Sequence, residues 1–343
     1  MKTSVPADPS TAQTGLGCPE PAAEVSPLRE ADRGRLARTP AEIPPRGWSD
    51  VVHRLAHAIV RDRVFSLAAG VAFYAVLAIF PALGASVTLY ALFADASQAA
   101  AHLDLLAGVL PPGAAELLGE QMTRMAAAAG TLGSALLVNL ALSVWSANAG
   151  VAALCDALNV VFKEEEKRSY AQFYAMTLLF TLFAVAFLAL ALGLIVVLPV
   201  ALKYLGWGGA GERALALARW PALYCGVLGV LMLFYRYGPS RTPAQWKWVS
   251  PGGAFAAALW LGASIAFSWY VASFDSYSRM YGSLGAIIAF MIWLWLSSVV
   301  ALLGAEIDAQ AELQTAQDTT RGPPKPMGAR GAYVADTLGE AQE

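Results

Sequence analysis

Long uncharged runs dominate the pattern of hydrophobic and polar positions along the chain. A membrane-spanning helix needs about 20 predominantly apolar residues, and six segments of the chain are long and apolar enough to qualify. The predicted spans cover residues 64–94, 125–155, 169–202, 214–235, 249–274 and 280–305. Pro81 lies inside the first span, where it forms either a hinge or a simple kink. The pattern therefore predicts an all-α integral membrane protein, a bundle of about six transmembrane helices.

Two further segments have the mixed pattern of helices that lie on a surface. Trp48 to Val60 places Trp48, Val51, Val52, Leu55 and Ile59 on one face, which predicts an interfacial amphipathic helix before the first span. Residues 99–125 mix apolar positions with Asp104, Glu116 and Glu120 and are broken by a Pro-Pro-Gly turn, which predicts two short helices that lie on the outer surface or dip into the bundle.

The two ends of the chain lack this apolar character. Residues 1–46 are rich in Pro, Ala, Glu and Arg, and residues 313–343 are rich in Gly, Pro and polar side chains. Such compositions are typical of segments that bury too little apolar surface to fold. We therefore expect two disordered cytoplasmic tails around a membrane domain that covers residues 47–312.

Composition and charge support the membrane assignment. Hydrophobic residues make up 57% of the 343-residue chain and charged residues 14%, whereas an average soluble domain is about 25% charged. The mean hydropathy is +0.52. The net charge of −2 provides no basic field that would attract nucleic acid, so we expect no nucleic-acid partner. We expect membrane lipids as partners, with other envelope proteins as further candidates.

The distribution of Lys and Arg predicts the orientation in the membrane. Ten of these residues fall beside the predicted helix ends on one side of the bundle and five on the other. Because positive charge favours the cytoplasmic side, we expect a multi-pass protein of the bacterial inner membrane with both termini in the cytoplasm.

The last apolar run ends on acidic residues. No charge occurs from Met280 to Ala305, and Glu306 and Asp308 follow at once. Carboxylates at a helix C-terminus face the negative end of the helix dipole, so they require another source of stabilisation. One hypothesis is that Glu306 pairs with Arg61 or Arg63 at the start of the first span and fixes the packing of the two helices. The alternative is a solvated helix end.

Two groups of polar residues are candidates for a site. Asn148, Asp156 and Asn159 share one helical stripe of the second span, which indicates either a polar lining for a substrate or hydrogen bonds between helices. The connection before the last span contains Asp275, Tyr277, Arg279 and Tyr281. That connection is a candidate site for a substrate or a lipid headgroup, with an aromatic belt at the membrane interface as the alternative.

The sequence contains no recognisable catalytic motif. His53 and His57 have the spacing of a metal-binding pair on a helix, but no third ligand is evident in the sequence. We therefore expect no metal, no cofactor and no enzymatic activity.

Several motifs of the chain resemble a known family. They are the stretches 68–83, 144–150, 235–239, 251–254, 281–285 and 303–306, together with Trp248, Trp260, Trp293 and Tyr270. Their order resembles the YihY/BrkB family of bacterial inner-membrane proteins over residues 48–312. The resemblance implies a six-helix fold without a settled biochemical activity. It also implies a virulence-factor label and a former ribonuclease label that we regard as misassigned.

The sequence thus leaves two functions of different classes. The leading expectation is transport or translocation of a lipid-like or amphipathic substrate in the cell envelope. The alternative is a non-catalytic membrane scaffold or envelope-integrity protein, for which the polar stripe would be dry and closed. A ribonuclease is the least favoured, since no cluster of His or carboxylate residues lies beside a basic groove.

Overall fold

Helices account for the regular structure of the parts of the chain that the computed structural model describes, which are residues 30–93, 132–192, 210–273 and 283–341. Those ranges contain no β-strand. The helices are α1 (Pro45–Arg61), α2 (Val64–Phe93), α3 (Leu132–Val161), α4 (Tyr170–Leu192), α5 (Ala210–Tyr237), α6 (Ser250–Ser273), α7 (Ser283–Glu312) and α8 (Tyr333–Asp336). Short 3-10 helices occur at Ala31–Arg33, Pro40–Glu42 and Trp246–Trp248.

Each predicted span corresponds to one of the long helices α2 to α7. The match is close because an uninterrupted apolar run leaves the backbone no water to bond with, so its hydrogen bonds must be made within the helix. The helix α2 continues through Pro81. The predicted surface helices at residues 99–125 lie outside the described residues.

Two helices end later than the sequence predicts. The helix α3 continues to Val161 and α7 to Glu312, beyond the predicted ends at residues 155 and 305. Ala, Glu and Gln, which are strong helix formers, fill five of the last seven positions of α7. Glu306 therefore lies well inside α7 and not at its C-terminus.

Several helices of the described residues contain long apolar stretches. Among the described residues, Ser250–Tyr270 and Ile287–Glu312 meet the requirement of length and composition, with mean hydropathies of 1.3 and 2.3. Val64–Ala78 and Tyr170–Ala184 form shorter apolar helical stretches. Large side chains such as Leu179 and Trp269 are exposed on the outside of the bundle, as expected of surfaces that face lipid. The count of six spans stays a prediction.

Helix α7 is central to the packing of the bundle. It contacts α1, α2, α3 and α6, while α2 packs against α3, α3 against α4 and α5 against α6. The Nε1 atom of Trp295 on α7 donates to the Phe65 carbonyl of α2 at 3.1 Å. The Oη atom of Tyr235 on α5 donates to the Ala301 carbonyl of α7 at 2.6 Å. These bonds hold α2 and α5 against the middle of α7.

The closest approach between helices involves two glycines. A Cβ atom added to Gly304 of α7 would lie 2.5 Å from Tyr235 Oη and 2.7 Å from the Gly252 carbonyl oxygen. A Cβ atom on Gly252 of α6 would meet the Gly304 carbonyl oxygen. Only glycine permits the two backbones to lie so close, as at the small-residue contacts of membrane helices.

The C-terminal segment is folded, contrary to the predicted disordered tail. Val334 and Ala335 are buried, and Arg330 Nη2 donates to the Ala316 carbonyl at 2.7 Å. The carboxylate of Asp336 accepts hydrogen bonds from the backbone of Gly328 and Gly331. Composition alone missed this order because it depends on specific buried hydrogen bonds more than on apolar area.

The described part of the N-terminal region is also packed. Arg33 forms an ion pair with Asp50 of α1 at 2.8 Å, and the Thr315 hydroxyl donates to the Ala37 carbonyl at 2.6 Å. The helix α1 buries Val51 and Ala58 against the bundle but exposes Val52. The part of the predicted apolar face at Val52 does not pack against the bundle, and its contact with the membrane interface stays a prediction.

We expect Gly304→Ala to lower the free energy of unfolding by about 1–3 kcal/mol, the usual cost of overpacking a tight interface. The measurement is the thermal unfolding midpoint of the purified protein in detergent. Gly262→Ala on α6 is the matched control, since nothing lies within 4 Å of its added Cβ atom and alanine favours a helix. Equal midpoints for the two variants would contradict the close approach.

Candidate functional site

Buried polar side chains gather at one end of the bundle, which we call the polar end. It comprises the last turns of α3, α5 and α7, the first turns of α4 and α6, the connections 162–169 and 238–249, and the C-terminal segment 313–341. The buried polar residues there are Asn159, Glu164, Arg236, Ser240, Arg241, Glu306, Asp308, Gln310, Glu312, Gln314, Thr315, Thr319, Thr320 and Arg330. Burial of a polar group is costly unless the group is hydrogen-bonded, so the partners of these residues decide what the site does.

Asp308 of α7 stabilises the beginning of α6. Its Oδ1 atom accepts a hydrogen bond of 2.7 Å from the backbone N–H of Gly252, in the first turn of α6. The first N–H groups of a helix have no partner within the helix, and the positive end of the helix dipole lies there. The acid that follows the apolar run is thus stabilised by a neighbouring helix. The Pro251–Ala254 stretch forms the first turn of α6 rather than a loop.

Glu312, at the end of α7, forms a fully buried ion pair. The Nη1 and Nη2 atoms of Arg241 donate to the two carboxylate oxygens of Glu312 at 3.1 and 2.9 Å, and neither side chain is exposed. The Thr319 hydroxyl donates to the same carboxylate at 2.7 Å. The guanidinium of Arg241 lies 4.0 Å above the Phe162 ring. This arrangement connects α7, the 238–249 connection, the end of α3 and the C-terminal segment.

Asn159 belongs to a second polar group at the same end. Its Oδ1 atom accepts from the Ser240 N–H at 2.7 Å, and its Nδ2 atom donates to Glu166 at 3.0 Å. Arg168 forms a bidentate pair with Glu166, with both N···O distances 2.6 Å. Partial burial opposes ionisation of Glu166, but the hydrogen bonds from Arg168 and Asn159 outweigh it and lower the pKa to about 2. Glu166 is therefore a structural carboxylate that stays ionised at physiological pH.

The predicted Glu306–Arg63 pair is not formed among the described residues. Glu306 is completely buried, and neither of its carboxylate oxygens has a hydrogen-bond partner there. Arg63 is exposed, in the left-handed turn between α1 and α2. The nearby Arg61 pairs with Asp62 at 2.9 Å. The longer α7 explains the difference, because it draws Glu306 into the interior of the bundle.

The predicted polar stripe of α3 divides into different environments. Asn148 is buried and its Oδ1 atom accepts from the Thr181 hydroxyl of α4 at 3.3 Å. Asp156 is exposed, and Asn159 belongs to the polar end. The two asparagines thus make hydrogen bonds between elements, as the packing alternative expects. The predicted headgroup residues Asp275, Tyr277, Arg279 and Tyr281 lie outside the described residues.

Two basic cavities open at the polar end. The first, of about 500 Å³, is lined by His53, Arg54, His57, Arg61, Lys163 and residues of the C-terminal segment. The His53 and His57 rings are 4.8 Å apart. Burial and the charge of Arg35 lower the pKa of Arg54 to about 10. The second cavity, of about 340 Å³, is lined by Lys167, Arg168, Arg236, Arg241, Thr242 and their neighbours.

A third cavity is a groove along the apolar part of the bundle. It has a volume of about 500 Å³ and lies between α5, α6 and α7. Four tryptophans line it, Trp220, Trp260, Trp269 and Trp293, together with the hydroxyl-bearing Ser264 and Ser268. We call it the tryptophan groove. It combines an apolar wall with a few polar groups, which is the usual make-up of a small-molecule site.

Sequence reasoning missed three of these features. Arg236 and Arg241 counted only as positive charges that orient the protein, and Asp308 only as a helix-end charge. Helix-start signals around Ser250 and Pro251 were the available sign that a carboxylate would be needed nearby. The partners themselves depend on how the helices pack, which one sequence does not show.

The model of the family described as virulence factor BrkB matches residues 55–328, which include α2 to α7 and most of the polar end. The chain belongs to the BrkB family. The BrkB match ends inside the C-terminal segment, so part of that packed segment falls within the family's common region.

Two relatives of this chain are themselves named as membrane proteins. The UPF0761 membrane proteins of Methylibium petroleiphilum and Rhodospirillum centenum are 26% and 27% identical over 83% and 88% of this chain. "Putative ribonuclease-like protein YfkH" of Bacillus subtilis is 34% identical over 52% of the chain. The matched regions span 67%, 66% and 66% of these three relatives. No solved structure matches this BrkB protein.

We expect Glu312→Gln to lower the free energy of unfolding by about 3–5 kcal/mol, because it leaves the buried Arg241 charge without its partner. Thermal unfolding in detergent measures the change. Asp32→Asn is the control: it breaks an exposed ion pair with Arg46, which is worth about 0–1 kcal/mol.

A double variant separates the pair from its single members. Arg241→Met with Glu312→Leu removes both charges, and we expect it to recover much of the stability that Glu312→Gln loses. If Glu312→Gln is as stable as the wild type, the buried pair does not contribute as described.

Proposed function

We propose that this BrkB protein translocates a lipid-like or amphipathic molecule in the bacterial inner membrane, with its polar end in the cytoplasm. The observation that supports transport best is the tryptophan groove. Its volume of about 500 Å³ falls within the range of about 300–1,000 Å³ typical of ligand sites. Two of the three helices that form its wall, α6 and α7, contain stretches that are long and apolar enough to span a membrane.

The chemistry of the groove suits an acyl chain with a polar attachment. Trp269 is 73% exposed on the outer surface of the bundle, where it would contact lipid. Trp260 Nε1 donates to Ser297 Oγ at 3.0 Å, which fixes the orientation of that indole. Tryptophan is amphipathic and is common where apolar and polar surroundings meet. The wall therefore offers contact area for a chain and hydroxyls for a polar group.

A proline beside the groove supports the proposal that part of α5 moves. Pro221 lies inside α5, directly after Trp220. Proline removes one backbone donor from a helix and commonly bends it. The half of α5 next to the groove is thus the part of the wall best suited to open and close. Orientation with the polar end inside follows from the distribution of Lys and Arg.

A second function, a membrane scaffold or envelope-integrity protein, is favoured by one specific observation. Asn148, the candidate lining residue nearest the middle of α3, is buried and bonded to Thr181. A closed polar stripe is what a scaffold needs, and it removes one proposed route for a substrate. A transporter would therefore have to use the tryptophan groove.

Translocation is tested by reconstitution into liposomes that contain a fluorescent phospholipid, with a membrane-impermeant quencher reporting how fast label moves between leaflets. We expect wild-type protein to accelerate this movement. Ser264→Phe fills the groove, and we expect it to reduce the rate at least about tenfold. Ala266→Phe is the matched control, because Ala266 lies on the exposed surface of the same helix and does not line the groove.

The two functions predict different results in this assay. If wild-type protein moves label no faster than protein-free liposomes, transport of this lipid class is contradicted and the scaffold becomes the leading function. If Ser264→Phe and Ala266→Phe are equally active, the route does not pass through the groove.

A further inference from the structure

We propose that the second basic cavity of the polar end is a binding site for a phosphate group, with Arg236 as its principal ligand. The cavity has a volume of about 340 Å³. Three parts of the chain form it: the connection 162–169, the end of α5 with the residues that follow it, and Gly331 of the C-terminal segment. It is separate from the tryptophan groove, with which it shares no lining residue.

Arg236 forms no ion pair with a carboxylate among the residues that the structure describes. Its side chain is only 3% exposed, and its Nε and Nη1 atoms are buried without a hydrogen-bond partner in the described part of the chain. A buried guanidinium with unused donors is costly. An oxyanion in the cavity would remove that cost by accepting hydrogen bonds from the planar fork.

The other cations of the cavity already have carboxylate partners. Arg241 pairs with Glu312, Arg168 with Glu166 and Lys167 with Glu164. In each of these three pairs the carboxylate balances the cation. Among the described residues of the cavity, the charge of Arg236 is therefore left uncompensated. The structure therefore favours one anion and not a large polyanion.

Aromatic rings hold the Arg236 guanidinium in position. Its Cζ atom lies 4.4 Å from the centre of the Trp246 ring and 5.2 Å from that of Tyr237. Stacking on an aromatic ring restricts a guanidinium without using its N–H donors. The N–H donors of Arg236 therefore keep a fixed direction. A ligand would not have to order them on binding, which is the preorganisation that favours affinity.

The remaining donors match a phosphate group better than a carboxylate. The Lys167 ammonium gives one hydrogen bond to Glu164 and carries three N–H donors in all. The Thr242 hydroxyl also lines the cavity. Arg236, Lys167 and Thr242 supply donors from three different parts of the chain, and several separate donors suit a tetrahedral oxyanion, whereas a planar carboxylate is satisfied by two parallel bonds.

The phosphate group has two possible sources. Arg236 lies in the last turn of α5, close to where that predicted span leaves the membrane, so a phospholipid headgroup could enter from the bilayer. A free phosphate could enter from the aqueous side. Both offer the same oxyanion to Arg236, and the experiment below distinguishes them.

Binding is tested with the full chain in detergent by isothermal titration with inorganic phosphate, and by native mass spectrometry with phosphatidic acid. We expect the wild type to bind at least one of these probes. Arg236→Gln should weaken binding at least about tenfold, since it removes a charge-assisted bidentate contact. Arg46→Gln is the matched control, because Arg46 is an exposed arginine outside the cavity.

The two probes assign the source. Binding of phosphatidic acid that depends on Arg236 identifies a lipid headgroup, and binding of inorganic phosphate alone identifies a soluble ligand. Arg236→Lys serves as a second variant should Arg236→Gln fail to fold, since it keeps the buried charge but loses the fork. We expect it to weaken binding several-fold.

The proposal would be overturned if the wild type binds neither probe, or if Arg236→Gln or Arg236→Lys binds as tightly as the wild type. It does not depend on transport, since binding is measured at equilibrium without a membrane. Ser264→Phe should retain phosphate binding. Failure of the groove and failure of the phosphate site are therefore distinguishable.

Discussion

The burial of acidic side chains at the end of α7 is the constraint on which the rest of the structure depends. Asp308 and Glu312 are both fully buried, and each requires compensation from another part of the chain. Asp308 obtains it from the N-terminus of α6 and Glu312 from Arg241. These two requirements fix the position of α6 and of the connection 238–249 relative to α7. The glycine contact between α6 and α7 is possible only in that arrangement.

The folded C-terminal segment follows from the same constraint. Thr319 donates to the Glu312 carboxylate, and the isolated bridge between Ala244 and Thr320 joins the segment to the connection that carries Arg241. Tyr333 donates its backbone N–H to Glu164 at 2.7 Å. The segment thus covers the polar end and shields the buried ion pair from water, which strengthens the electrostatic interaction. A segment with little apolar surface is ordered because it completes a polar core.

The helices were predicted well from the sequence, but the side-chain contacts between them were not. The runs that became α2 to α7 are uncharged, and an uncharged run of that length has few structures available in a membrane. Of the acids after Ala305, Asp308 accepts a hydrogen bond from Gly252, whereas Glu306 forms no pair with Arg63 and its carboxylate has no hydrogen-bond partner in the described part of the chain. The prediction of a disordered C-terminal tail failed because the order of this segment depends on hydrogen bonds made by side chains such as Asp336. Composition does not encode such contacts.

Helix α5 is bonded to its neighbours near the polar end and contains a proline further from it, and that difference bears on function. At the polar end α5 is fixed by Tyr235 to α7, and about three turns earlier in α5 Tyr224 donates to the Ala254 carbonyl of α6 at 3.2 Å. Beyond Tyr224, α5 reaches Pro221 and Trp220 beside the tryptophan groove, where proline has removed a backbone donor. A helix anchored at one end and weakened at the other moves most easily at the weakened end. The proposed translocation would use this difference, with α5 moving beside the groove while the polar end stays fixed.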